Sequence, residues 1–111
     1  MKTVNILGTG YKIIFDVANE EMPENADGCM DHSTHIIKIA KLESDRNSVM
    51  DLDSYRKKVL RHEIIHAFLS ESGLQCNWQH TEQFGHDETT VDWFAIQSPK
   101  IFGVFKELDL I

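Results

Sequence analysis

The chain has 111 residues, of which 41% are hydrophobic and 26% charged, as is typical of a small globular protein. The formal net charge is −7, which argues against nucleic acid as the main partner because phosphate binding needs a basic surface. No apolar run approaches the length of a membrane span, and the first residues lack the apolar core of a signal peptide. We therefore expect a single cytoplasmic domain over residues 1–111, with no membrane partner.

The chain begins with a pattern that predicts a β-hairpin. Residues 3–7 and 11–17 are rich in β-branched and aromatic side chains, which favour strands. The segment Gly8–Gly10 between them is short enough for a hairpin turn. The acidic and polar residues 18–27 then predict a surface loop.

A second hairpin is predicted over the next part of the chain. It is formed by residues 28–32 leading into residues 34–40, with Asp31–Thr34 as its polar turn region. Because side chains alternate between the two faces of a strand, His35, Ile37 and Ile39 are expected to share one face.

The residues from about 52 to 72 predict a long helix. Asp51 and Asp53 are N-cap candidates, since a short acidic side chain accepts hydrogen bonds from the free N–H groups of the first turn. Gly73 fits the position just after the helix, where the backbone often adopts a positive φ. A helix of this length would cross the whole domain.

A second helix is predicted to begin near Glu88, after a polar loop over residues 75–86. Pro99 is expected to end it near Ser98, because proline removes a backbone donor and clashes with the preceding turn. Residues 101–111 have no firm period and allow a short further helix.

Residues 62–66 of the long helix read His-Glu-Ile-Ile-His, the H-E-x-x-H pattern. Residues four apart lie on one face of a helix, so His62 and His66 can direct two imidazoles at one ion. Glu63 lies beside this pair, where its carboxylate can accept a proton from water on the metal. The pattern therefore predicts a zinc site with two histidine ligands and a glutamate base.

Two other interpretations of the motif are open. One is a charged surface with two solvent-facing histidines, and the other is a metal-free core in which the histidines and Glu63 hydrogen-bond one another. Apolar residues next to the motif point almost all round the helix axis, which favours a buried helix. A buried histidine pair and carboxylate need a partner, and a divalent metal supplies one.

A catalytic zinc site takes three protein ligands and leaves one position open. Glu88 is the preferred third ligand, because a loop of this length can fold the second helix back across the first. His86, Asp92 and His80 are the alternatives. Asp92 also suits a supporting role, in which it accepts the free N–H of a histidine ligand. The alternatives without a metal are that Glu88 is an acid favoured at a helix N-terminus and that Asp92 is an acid exposed to solvent.

The two cysteines, Cys29 and Cys76, lie far apart in the sequence and form no C-x-x-C pair. In a cytoplasmic chain they are expected to be free thiols rather than a disulfide or zinc ligands.

The motif at residues 62–66, followed by Glu-Thr-Thr-Val-Asp-Trp-Phe-Ala at residues 88–95, resembles the gluzincin pattern of H-E-x-x-H and a downstream glutamate. The pairing is similar to that in compact metallopeptidase-like proteins of phages and mobile elements, and more distantly in ImmA/IrrE-type peptidases. Ile65 and Ala67 depart from the ImmA/IrrE pattern and favour the small phage-type group.

This resemblance implies a minimal zincin-like α+β domain over residues 1–111. A small antiparallel or mixed sheet would pack against an active-site helix and a second, ligand-bearing helix. The metal would be Zn²⁺, bound by His62, His66 and Glu88, with Glu63 as the catalytic base.

The function implied is hydrolysis of a peptide bond in a peptide or protein substrate, in the cytoplasm of a bacterial host. The alternative is a metal-stabilised protein-binding module without peptidase activity. For an enzyme, His80, His86 and Tyr55 are candidates to stabilise the oxyanion, and the sequence does not choose between them.

Overall fold

The structure of the chain is a computed structural model that describes residues 1–24, 26–43, 50–73 and 88–111. In the second helix, the side chains of Glu88, Val91, Asp92 and Ala95 lie outside this description. The elements are β1 (Lys2–Ile6), β2 (Thr9–Val17), a 3₁₀ turn (Asn19–Glu21), β3 (Gly28–Asp31), β4 (Ile36–Ala40), α1 (Leu52–Glu71) and α2 (Glu88–Glu107).

Four strands form one mixed sheet in the order β1-β2-β4-β3. The pairs β1–β2 and β3–β4 are antiparallel, which confirms both predicted hairpins. Strands β2 and β4 run parallel and join the two hairpins. The fold is therefore a small α+β protein with a mixed sheet packed against helices, and β3 is an edge strand.

The first hairpin turn lies earlier than the sequence suggested. Leu7 and Gly8 form it with φ values of 52° and 98°, and Thr9 and Gly10 already belong to β2. Two consecutive residues with positive φ are typical of the tight turn that matches the twist of a hairpin. The Asn5 side chain supports the turn by accepting a hydrogen bond from the Gly8 backbone N–H at 2.7 Å.

The prediction for β4 is partly correct. Ile37 and Ile39 are fully buried on the face that packs into the core. His35 does not continue this row, because it precedes β4 in the turn with a φ of 58°. Its positive φ turns the chain before the strand begins.

Helix α1 confirms the predicted bounds to within a residue. Asp51 is the N-cap, and its Oδ1 accepts a hydrogen bond from the Ser54 backbone N–H at 3.0 Å. Gly73 follows the helix with a φ of 82°, as expected for a glycine after the C-cap. One side of α1 is buried against the sheet through Leu60, Ile64, Ala67 and Phe68.

The prediction that helix α2 ends before Pro99 was wrong. The helix continues through Pro99 to Glu107. A proline inside a helix costs a backbone hydrogen bond. Here the turns beyond it carry Ile101, Val104 and Phe105, all buried in the same core as Trp93. The apolar surface that these turns bury offsets the cost of the proline, which itself is exposed.

Within the described ranges, none of the helices combines the length and apolar character needed to cross a lipid bilayer.

Candidate metal centre

His62 and His66 lie one turn apart on α1, and their rings converge. The distance between the two Nε2 atoms is 3.2 Å, the ring centroids are 4.8 Å apart, and the ring planes meet at 70°. This convergence follows from the i, i+4 spacing on a helix.

The distance between the two nitrogens matches the geometry of a shared zinc ion. Zinc binds histidine nitrogen at about 2.0–2.1 Å in tetrahedral sites, so two such ligands stand about 3.3–3.4 Å apart. The observed 3.2 Å is close to this value. The pair therefore fits as two of the ligands of one ion. The same distance also allows a hydrogen bond from an N–H of one ring to the unprotonated nitrogen of the other.

The expectation that this histidine pair is buried was wrong. In the described part of the chain, His62 and His66 are exposed, while Ile65 and Leu69 are only half-buried. The apolar residues of α1 cover the sheet side of the helix and do not enclose it on all sides. A metal is therefore favoured by the convergence of the two nitrogens and not by burial.

Unlike His62 and His66, Glu63 is buried, with only 7% of its surface exposed. Its side chain packs between α1 and the edge strand β3. A Cβ atom on Gly28 would stand 3.1 Å from Cγ and 3.2 Å from Oε2 of Glu63. Burial is the largest cause of the raised pKa of the Cys29 thiol, and the nearby Glu63 charge also raises it. The carboxylate of Glu63 therefore borders the strand residues Gly28 and Cys29.

Gly28 leaves room for the Glu63 side chain, and we expect substitution of Gly28 to disturb that side chain. In Gly28→Ala, the added Cβ would meet Val59 Cγ1 at 2.6 Å as well as the Glu63 side chain. We expect a loss of about 1–3 kcal/mol in the free energy of unfolding, as is usual for overpacking. Zinc binding by the exposed histidines should persist.

Chemical denaturation and zinc titration measure these two effects of Gly28→Ala. The matched control is Gly10→Ala in the same sheet, where the new Cβ would meet only Thr3 Cγ2 at an ordinary 3.9 Å. If both variants lose the same stability, the close packing of Glu63 on Gly28 has no energetic importance.

The preferred third ligand is not placed by the structure. The backbone of Glu88 begins α2, but its side chain and that of Asp92 are outside the described residues, as are His80 and His86 altogether. Within residues 1–24, 26–43, 50–73 and 88–111, no cluster of three histidine, cysteine or acidic side chains is arranged to hold a metal. The choice of Glu88 stays a prediction.

Tyr55, one candidate for oxyanion stabilisation, has another partner in the structure. Its hydroxyl donates a hydrogen bond to Oδ2 of Asp27, just before β3. This bond is the largest cause of the raised pKa of Tyr55. The interaction ties the start of α1 to the edge strand. No local sequence pattern predicts this bond, because the two residues are 28 positions apart.

A second group of polar side chains, also missed by sequence reasoning, surrounds Glu71 at the other end of α1. The Glu71 carboxylate accepts hydrogen bonds from Tyr11 Oη at 2.7 Å and Thr9 Oγ1 at 2.8 Å. His32 Nδ1 and His35 Nε2 lie 3.7 and 3.8 Å from its Oε1. The group joins the first hairpin, the β3–β4 turn and the end of α1, so we interpret it as structural.

Glu71 makes stability depend on pH. The hydrogen bond from Tyr11 is the largest cause that holds the pKa of Glu71 below its ordinary value. A carboxylate with a lowered pKa in the folded state adds stability above its unfolded pKa of about 4.3. That contribution is lost as the pH falls through the folded pKa.

We expect Glu71→Gln to lower the free energy of unfolding by about 1–3 kcal/mol at pH 7, because it replaces a charged acceptor of two part-buried hydrogen bonds by a neutral amide. The difference in the free energy of unfolding between the variant and the unsubstituted protein should shrink as the pH falls below about 4. Urea denaturation at pH 7, 5 and 3.5 measures it, with the exposed Glu107→Gln as control. A difference that is equal at all three pH values would contradict the role given to the ionised carboxylate.

The predicted thiols are described only in part. Cys29 is a free thiol on β3, as expected, and Cys76 lies outside the described residues.

Comparisons with models of known protein families, with curated proteins and with solved structures found no match for the chain.

Proposed function

We propose that this protein is a zinc-dependent metallopeptidase with a minimal zincin-like fold. The observation that carries the proposal is the 3.2 Å separation of the Nε2 atoms of His62 and His66. It is supported by Glu63, a buried carboxylate next to the first histidine in sequence. A purely structural metal site has no need of such a base. Glu88 is proposed as the third ligand from its position at the start of α2.

In this proposal, His62 and His66 would hold the ion through Nε2, and Glu88 would complete the protein ligands. Zinc, when bound, acts as a Lewis acid that polarises the scissile carbonyl and makes water a better nucleophile. Glu63 accepts the proton of the attacking water on a carboxylate oxygen and then gives it to the leaving amine. Its packing against Gly28 restricts the carboxylate, which favours one position for this proton transfer.

The edge strand β3 supports a peptide as the substrate. One side of β3 pairs with β4, and in the described part of the chain no strand pairs with the other side. An extended peptide can bind such an edge through main-chain hydrogen bonds. Because Glu63 packs against Gly28 of the same strand, a peptide on this edge would pass close to the base.

The alternative function is a metal-stabilised protein-binding module of a phage or mobile element. One observation favours it: α2 exposes large apolar side chains at Phe94, Ile96 and Phe102, which are 41%, 67% and 56% accessible. Exposed apolar groups of this size often contact a partner protein. For either function, we propose the cytoplasm of a bacterial host as the location.

The proposal is tested by incubating the zinc-loaded protein with a complex peptide mixture and identifying new termini by mass spectrometry. We expect cleavage that a chelator stops and added zinc restores. A protein that binds zinc stoichiometrically but produces no new termini would favour the binding module over the enzyme.

A further inference from the structure

A small cavity lies on a different side of α1 from the histidine pair. It has a volume of about 150 Å³ and lies between the first half of α1, the first hairpin and the segment that follows α2. Its apolar walls are formed by Phe15, Leu60, Leu108 and Leu110. Leu60 is buried, whereas His62 is turned about 200° further round the helix and is exposed. The cavity is therefore separate from the proposed metal site.

The polar part of this cavity is basic, although the whole chain has a net charge of −7. Lys2, Arg56, Lys57 and Asp53 line it. Lys57 Nζ lies 3.9 Å from Asp53 Oδ2, so these two charges offset one another. Within the described residues, Lys2 and Arg56 have no ion-pair partner, which leaves two uncompensated positive charges beside apolar walls.

Arg56 also has an unused hydrogen-bond donor. Its Nε atom is buried, and none of the described residues accepts a hydrogen bond from it. A buried donor without a partner is destabilising. A carboxylate satisfies the planar guanidinium group well, because two parallel hydrogen bonds can form at once. Arg56 lines the cavity, so its guanidinium group is placed to bind an acceptor oxygen there.

We propose that this cavity binds a small carboxylate that carries an apolar group, with the carboxylate on Arg56 and the apolar group against Leu60 and Leu108. The C-terminal residue of a peptide and a short fatty acid share this chemistry. A cavity of about 150 Å³ suits an apolar group of roughly one aliphatic side chain. This site does not depend on the proposed peptidase activity.

Three probes test the chemistry by titration calorimetry in a buffer free of carboxylates. N-acetyl-leucine represents a peptide C-terminus, hexanoate represents a short fatty acid, and N-acetyl-leucinamide lacks the charge. We expect at least one of the two carboxylates to bind, and the amide to bind about tenfold more weakly than N-acetyl-leucine or not at all. Binding of N-acetyl-leucine alone would identify a peptide terminus as the ligand, and binding of hexanoate alone a fatty acid.

Variants test whether Arg56 is the anchor. Arg56→Gln should weaken carboxylate binding about tenfold. Lys58→Gln is the matched control, because it removes the same charge from an exposed position of α1 that does not line the cavity. Lys2→Gln should weaken binding about two- to fivefold and provides a second measurement if Arg56→Gln fails to fold. Absence of binding by both carboxylates, equal binding of the amide, or equal effects of Arg56→Gln and Lys58→Gln would overturn the proposal.

Discussion

Glu63→Gln is expected to lower peptidase activity by about 10²–10⁴-fold while the protein still binds one zinc ion. The amide has nearly the shape of the carboxylate, so it should still fit between α1 and Gly28. It cannot accept the proton of the attacking water, and the loss should therefore appear in kcat. The histidines bind the metal through their own nitrogens and should not be affected.

Peptide cleavage and zinc content are measured on the same sample of Glu63→Gln. Glu107→Gln, which changes an exposed glutamate of α2, is the control and should behave like the unsubstituted protein. Undiminished cleavage by the variant would remove Glu63 from the mechanism. Loss of zinc together with activity would mean that Glu63 serves the metal site itself and not proton transfer.

His62→Ala is expected to lower zinc affinity by more than about 100-fold, since even residues that only support metal ligands are often worth about 10–100-fold. The substitution removes one of two nitrogens that stand 3.2 Å apart and leaves a single imidazole on this face of α1. Both histidines are exposed, so the variant should keep its fold. The effect on affinity can therefore be separated from an effect on stability.

Competition with a chromophoric chelator measures this affinity. The chain offers a matched control in His35→Ala, which removes a histidine from the group around Glu71 and should leave zinc binding unchanged. If His35→Ala loses as much zinc affinity as His62→Ala, the ion is held elsewhere and the assignment to α1 is wrong.

The features that sequence reasoning predicted correctly are set by neighbouring residues. Runs of β-prone residues separated by short turns predicted the two hairpins. Acidic N-cap candidates at Asp51 and Asp53, with Gly73 at the other end, predicted α1. Each of these signals acts over a few positions, so no knowledge of the tertiary structure was needed.

The errors concern features that depend on tertiary packing. Pro99 was expected to end α2, yet the burial of Ile101 and Val104 carries the helix past it. The periodicity of α1 suggested burial on all sides, but the histidine face is exposed. The hydrogen bonds of Glu71 with Thr9 and Tyr11 join residues 62 and 60 positions apart, and no local pattern announces such contacts.

The candidate site was likewise predictable where it depends on neighbouring residues and not where it depends on tertiary packing. The convergence of His62 and His66 follows from helix geometry alone, and the structure confirms that the two rings meet. The contact of Glu63 with Gly28 depends on how β3 packs against α1, which the sequence did not reveal.

We propose above all that His62 and His66 hold one zinc ion with a position left open for water. X-ray absorption spectroscopy of the zinc-loaded protein measures this coordination shell directly. The account predicts one zinc per chain with two imidazole nitrogens at about 2.0–2.1 Å, one carboxylate and one water oxygen. A shell that contains sulfur or four protein ligands, or a spectrum unchanged in His62→Ala, would contradict it.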